Sequence, residues 1–285
     1  MTANNKKVIA CSYLMMLPVI ILISFLIFGM IICALQAFGL DGSGGVQDKN
    51  LFNIIYSKDF AKSFIYTFNL AFIETTLSIV IAFVIAVYII KHNASTHTLY
   101  LPIAIPHIVV AMMIIQLFAQ NGFISHMLHS LGLVKNSYDF ISIVNDKYGI
   151  GIIIAYVWKS TAYALAVLYV ILKKFNSDYY EISFSLGSSY KDYIFNILLP
   201  LSRNTLVFCF MVIFSYNFGA YELPFLLGST VNRTIPILAY FEYLKPDFAA
   251  KVVAGEYNLV MLAIGMLFII LFTKLMSDES FRTRG

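Results

Sequence analysis

Apolar residues in this chain are gathered into long runs rather than spaced at helical or strand intervals. The runs at roughly 10–38, 63–90, 99–119, 150–172, 203–226 and 256–276 are apolar around the whole circumference of a helix. A bilayer's hydrocarbon core takes about 20 such residues in helical form, so each run predicts a transmembrane helix. Between the first two, Gly39-Leu40-Asp41-Gly42-Ser43-Gly44-Gly45 predicts a flexible turn, and the semi-polar stretch on to Lys62 suits the membrane interface. The 91–98 connection is short, and those at 120–149, 173–202 and 227–255 are longer. An even number of crossings returns both termini to one side. Lys6 and Lys7 before the uncharged run from Val8 to Leu40 superficially resemble a secretory leader. That run exceeds the 7–15 residues, roughly, of a cleavable apolar core, so it is expected to stay as the first span.

Composition agrees with this patterning. The 285 residues are 60% hydrophobic and 12% charged, with mean hydropathy +0.82, whereas a soluble domain carries about 25% charged residues. The predicted fold class is an all-α polytopic membrane protein with six transmembrane helices. A net charge of +4, dispersed over several loops, leaves no basic footprint for nucleic acid. Cys11, Cys33 and Cys209 lie singly in apolar segments and read as small hydrophobes rather than a disulfide framework or a zinc site. No glycine-rich loop ending in Gly-Lys-Ser or Gly-Lys-Thr occurs, so ATP hydrolysis would fall to a separate chain, with no cofactor on this one. No short-period repeat or inverted repeat is evident. Lys and Arg favour an inside N-terminus by density: Lys6, Lys7, Lys91, Lys173, Lys174, Lys191, Arg203, Lys274, Arg282 and Arg284 share one side, and the other nine spread over longer loops.

The connection between spans 4 and 5 carries the most specific pattern. A helix from about Ser177 to Leu186 would bury Ile182 and Leu186 on one face, with Glu181 at its edge. Gly187 permits a sharp change of direction. A second helix from Tyr190 to Leu198 would end at Pro200, which cannot continue a hydrogen-bond ladder. Glu181, Gly187, Ile197, Leu199 and Pro200 also stand at the spacing Glu-Ala-Ala, three residues, Gly, nine residues, Ile-x-Leu-Pro, with Ile182 and Ser183 in place of the two alanines.

This segment resembles the docking loop of ABC-importer permeases, the inner-membrane subunits that work with an external binding protein. Leu101-Pro102-Ile103-Ala104-Ile105-Pro106-His107-Ile108-Val109-Val110 and the stretch from Ser215 to Gly228 are similar to the branch containing polyamine, ferric-iron and phosphonate permeases. The resemblance covers roughly 60–276. It implies a core permease domain at 63–276, a peripheral first helix and external linker at 1–62, and a cytoplasmic tail at 277–285. It also implies a multi-pass protein of a bacterial cytoplasmic membrane with both termini inside, and a cytoplasmic two-helix coupling loop formed by Glu181, Ile182, Ser183, Leu186, Gly187, Ile197, Leu199 and Pro200. The partners it implies are a second permease subunit forming a heterodimeric pore, two ATPase subunits holding ATP and Mg, an extracytoplasmic binding protein, and the lipid bilayer. Glu181 would make a charge contact to the ATPase.

Polar residues inside the spans need a reason, because a charge at the bilayer centre costs about 2.5–3.5 kcal/mol on insertion scales. Glu74 is either a carboxylate lining the pathway or a buried glutamate holding spans together with Thr75 or Thr76 nearby. Tyr216, Asn217, Tyr221 and Glu222, with Pro224 breaking span 5, form either an external gate or a helix end packed on span 3. Lys159 is expected to snorkel towards the outer face, and His107, with no second ligand at i+3 or i+4, is a packed or gate-side histidine. The two acidic residues lean the substrate towards a polyamine or similar small cation. An ion-coupled secondary transporter using Glu74 as relay is the competing reading. A membrane-embedded enzyme would need a catalytic constellation that the sequence lacks.

Overall fold

The computed structural model of the chain describes residues 3–38, 54–136 and 139–282. Among these the regular structure is helical: α1 (Ala3–Ala37), α2 (Lys58–His92), a 3-10 turn (His97–Tyr100), α3 (Leu101–Ala104), α4 (His107–Phe118), α5 (Phe123–Ser130), α6 (Ile150–Ser185), α7 (Tyr190–Asp192), a π-helical turn (Tyr193–Leu198), α8 (Leu199–Phe218), α9 (Glu222–Leu227), α10 (Ile235–Tyr243) and α11 (Phe248–Arg282). Six stretches are long and apolar enough to cross a membrane: Met15–Gln36, Lys58–His92, His107–Ser130, Ile150–Ser177, Tyr190–Phe218 and Phe248–Lys274. The predicted spans are therefore present. The Gly39 to Gly45 turn lies outside the described residues.

The chain divides into two compact units, one of residues 1–57 and 238–262, the other of 58–237 and 263–285. In the first, α1 leaves its apolar side chains from Met15 to Leu35 almost entirely exposed, as a helix apolar on every side does when lipid is its solvent. Gly255 brings α11 against Cys33 of α1, and Glu256 beside it is fully buried.

The second unit is built on α2 and α6, which share the most extensive helix contact. Ala82, Ala86, Ala155, Ala162 and Ala164 are buried along these helices. Small residues let backbones approach closely, which drives helix association where lipid removes the hydrophobic term. Phe60, Phe64, Phe68 and Phe72 repeat every four residues on α2, and Phe210, Phe214 and Phe218 do so on α8. They interlock edge to face, with Phe68–Phe214 centroids 5.7 Å apart, and Phe268 and Phe272 of α11 complete the seam. Edge-to-face pairs suit the ring quadrupole.

Four boundaries differ from the sequence expectation. Span 4 does not stop near residue 172: α6 runs unbroken to Ser185, because the polar stretch from Lys173 to Glu181 holds neither glycine nor proline to break it. Pro200 does not end a helix; α8 continues through it. The preceding π turn, in which the Leu199 N–H reaches the Ile194 carbonyl, absorbs the lost donor at Pro200. Span 5 ends at Phe218 rather than 226, and Pro224 sits in the first turn of α9, where a missing N–H costs nothing. Span 3 is broken at Ile105-Pro106: Ile105 is extended (φ −81°, ψ 126°), as a residue before proline tends to be.

Candidate functional site: a capped hairpin and an intramembrane cavity

Residues 181–200 form a tight helical hairpin. Gly187 has φ +80°. Its N–H donates to the Phe184 carbonyl at 3.0 Å and that of Ser188 to Ser183 at 3.1 Å, the paired bonds of a Schellman C-cap. Two residues on, the Ser189 hydroxyl accepts from the Asp192 N–H at 3.2 Å and donates to the Asp192 carboxylate, which caps α7. Backbone groups on both sides of the bend thus find partners within it.

Aromatic packing locks the two arms together. Tyr193 is fully buried, its ring 5.6 Å from Tyr180 and 6.4 Å from Phe184, and its hydroxyl donates to Asn176 Oδ1 at 3.2 Å. Lys91, at the end of α2, lies 4.6 Å above the Tyr190 ring, so the hairpin stands at the same end of the bundle as that terminus. Ser183 is buried and donates to the Tyr180 carbonyl at 2.8 Å. Glu181, Ile182 and Leu186 point outward, Ile182 59% and Leu186 81% exposed. The face expected to bury Ile182 and Leu186 therefore buries neither within this chain; Ser183 is the side chain turned inward. Of the second arm, Leu198 is buried, Ile197 and Leu199 are half-buried and Pro200 is exposed.

The second feature is a cavity of about 320 Å³ lined by Ile103, His107, Tyr156, Lys159, Ser160, Tyr163, Val212, Ile213, Tyr216 and Asn217. His107, the first residue of α4, uses both ring nitrogens: Nδ1 faces Glu222 Oε2 at 3.2 Å and Nε2 meets the Tyr216 hydroxyl at 3.3 Å. An imidazole carrying its proton on Nδ1 donates to the carboxylate and accepts from the phenol, so the neutral form satisfies both. Tyr216 also stacks on the His107 ring, with centroids 5.7 Å apart.

Lys159 does not snorkel. Its ammonium donates to the carbonyls of Pro102, at 3.1 Å, and Ile105, within the bundle. Glu74 is 1% exposed and is not among the residues lining the cavity; its polar neighbour is Asn217, which does line it. The Glu74 side chain meets that of Asn217, while Glu74 Oε2 and Asn217 Nδ2 stay buried without a hydrogen-bond partner. Neither threonine holds Glu74: Thr76 bonds to the Phe72 carbonyl at 2.7 Å, and the Thr75 hydroxyl has no partner. Tyr221 stacks on Phe225 at 5.1 Å, away from the cavity-lining set. Behind Glu222, Leu223 and Leu227 pack with Val110, Ala111 and Ile114 of α4, so α9 is a helix end packed on span 3 as well as the carrier of Glu222.

Tyr156, Ser160, Tyr163, Asn176 and Tyr193 escaped the sequence reading. The first three share the α6 face of Lys159 at i−3, i+1 and i+4, a periodicity the sequence does show. Asn176 and Tyr193 are paired across the hairpin and carry no pattern of their own. No group of three His, Cys, Asp or Glu able to hold a metal occurs among the described residues.

Six membrane-length helices define a polytopic membrane protein, whose main unit carries a self-capped hairpin and a cavity. More narrowly, the chain belongs to the family described as the binding-protein-dependent transport system inner membrane component, which residues 78–278 match. The family inferred from Glu181 to Pro200 is thereby borne out. Among similar proteins, the thiamine transport system permease protein of Brucella suis biovar 1 is 26% identical over 183 residues, 64% of this chain and 32% of that protein. A probable sulfate transport system permease protein of Helicosporidium sp. subsp. Simulium jonesii is 26% identical over 147 residues, 48% of this chain and 51% of that one. The chain thus spans about a third of the length of the thiamine permease it matches. A bacterial alginate ABC transporter, solved in complex with an alginate-pentasaccharide-bound periplasmic protein, shares the fold with TM-score 0.74, 18% identity and 94% of each chain covered. A bacterial ABC transporter involved in import of the acidic polysaccharide alginate does so with TM-score 0.73 and 20% identity, covering 95% of this chain and 98% of that one.

Proposed function

We propose that this chain forms half of the translocation pore of an ATP-driven importer and couples to a separate ATPase through residues 181–200. The supporting observation is the hairpin. Its bend is satisfied internally, its arms are locked by Tyr193, and its outer face carries an acid and two large apolar side chains that the chain leaves uncovered. A rigid lever with an uncovered contact face is what transmission between two moving bodies requires. The hairpin end is then cytoplasmic, both termini are inside, and ATP and Mg sit on the partner ATPase. A second permease subunit and a binding protein complete the assembly; the alginate transporter of like fold was solved with a periplasmic protein bound.

The lean towards a polyamine loses its basis. Of the two carboxylates behind it, Glu74 is buried and Glu222 is engaged by His107. The cavity wall is mainly apolar, interrupted by the hydroxyls of Ser160, Tyr163 and Tyr216, which favours a small solute with few charges. The test is co-purification of the tagged chain with the ATPase encoded beside it, for wild type, Glu181→Ala and Gly187→Pro. Recruitment by wild type with loss of stimulated ATPase activity in the variants supports the reading. Absence of any ATPase from the wild-type preparation overturns it.

A further inference from the structure

The break in span 3 leaves specific backbone groups without partners, and the chain supplies one for them from another helix. In an unbroken helix the Pro102 carbonyl would accept from residue 106, but residue 106 is proline and has no N–H. The Ile105 carbonyl would accept from Val109, but the Val109 and Val110 N–H groups both turn to Pro106, at 3.1 and 3.2 Å. Both carbonyls thereby lose their helical donors inside a membrane-spanning segment, where an unsatisfied backbone group is expensive. They are the two that the Lys159 ammonium binds, across 57 and 54 residues of sequence. The break also makes His107 the first residue of α4, and so sets the direction in which its ring enters the cavity towards Glu222 and Tyr216.

We infer that Lys159 is a positioning residue for the cavity: its ammonium replaces the hydrogen bonds that Pro106 forbids, holds span 3 in its broken form, and so places His107 between Glu222 and Tyr216. Three donors on a compact, flexible head suit two divergent carbonyls, which a planar or apolar head would not serve. The part of this inference that concerns solute passage rests on reading the cavity as the path; the placement of His107 does not.

The experiment measures placement directly. In the full chain in native membranes, with Cys11, Cys33 and Cys209 replaced by alanine, His107→Cys and Glu222→Cys are cross-linked with a short bis-methanethiosulfonate. The thermal midpoint of the solubilised chain is measured in parallel on the sequence without the cross-linking pair. Lys159→Met is expected to slow cross-linking by about tenfold or more, the scale set by losing hydrogen bonds to a charged group, and to lower the midpoint. Adding Pro106→Ala to Lys159→Met restores an N–H for Pro102, so the midpoint is expected to recover. Cross-linking stays slow, because an unbroken helix turns position 107 away from Glu222. Wild-type cross-linking in Lys159→Met, or a midpoint that Pro106→Ala fails to raise, overturns the assignment. If Lys159→Met does not accumulate, the double variant decides: its accumulation supports the role and its absence refutes it. Cross-linking needs no solute and no ATPase, so failure of the importer reading leaves this result intact.

Discussion

At the scale of single residues, Gly187 and Glu74 separate geometry from chemistry. An added Cβ at Gly187 meets nothing within 4 Å, yet φ is +80°, so a substitution there is strained only through its backbone, by about 1–2 kcal/mol for a residue with a side chain. Asn tolerates this region better than other such residues. Gly187→Asn is therefore expected to keep most of the coupled ATPase activity and Gly187→Ala less, while Gly187→Pro loses it, a ranking readable from ATP hydrolysis in proteoliposomes. Glu74 was visible in the sequence as a charge that needed an explanation; its partner was not, because Asn217 lies on a helix more than a hundred residues away. With its carboxyl buried beside an amide, Glu74→Gln keeps the size and the polar contact. ATP-driven uptake is expected to continue near the wild-type rate in that variant. Loss of uptake with normal assembly would favour a proton or cation relay and hence the secondary-transporter reading.

At the scale of elements, the hairpin owes its stiffness to Tyr193. Tyr193→Phe removes the hydroxyl bond to Asn176 and keeps the ring packing against Tyr180 and Phe184, so it is expected to cost about 1 kcal/mol. Tyr193→Ala also empties a fully buried site and is expected to cost about 3–5 kcal/mol, as large aromatic truncations do. Thermal unfolding of the solubilised chain checks the order of the two. The spans were legible because uninterrupted apolar composition leaves few alternatives, and the bend was legible because glycine at that spacing has a backbone reason. The exact helix ends were not. Nothing in the run from Lys173 to Ser185 breaks a helix, so polarity alone marked a loop where the backbone continues. At Pro200 the opposite error arose: a proline that usually stops a helix is carried by a wider turn formed just before it. The break in span 3 lies at a Pro-containing stretch that the sequence displays, but what stabilises it is a lysine on another helix.

At the scale of the molecule, the remaining question is which way the bundle faces, and the main unit gives it two chemically different ends. One end holds the hairpin, Lys91 and the close of α6, with Lys173, Lys174, Lys191 and Arg203 nearby in sequence. The other joins residues 143–149 to 227–232: the Asn145 N–H donates to the Leu227 carbonyl at 2.9 Å and Asn232 Nδ2 to the Lys147 carbonyl at 2.8 Å. The denser Lys and Arg of the shorter connections at the hairpin end argue for a cytoplasmic location by the charge asymmetry of membrane insertion, and an ATPase can dock only there. A membrane-impermeant maleimide on intact cells should therefore label Lys147→Cys and spare Ser189→Cys, with the pattern reversed on inside-out vesicles, both in the background without native cysteines. Both positions are exposed and lie between helices, so reactivity reports the side of the membrane rather than burial. The reverse pattern would put residues 181–200 outside, where there is no ATP-hydrolysing partner to drive; the hairpin would then be a structural connector and coupling through it could not occur.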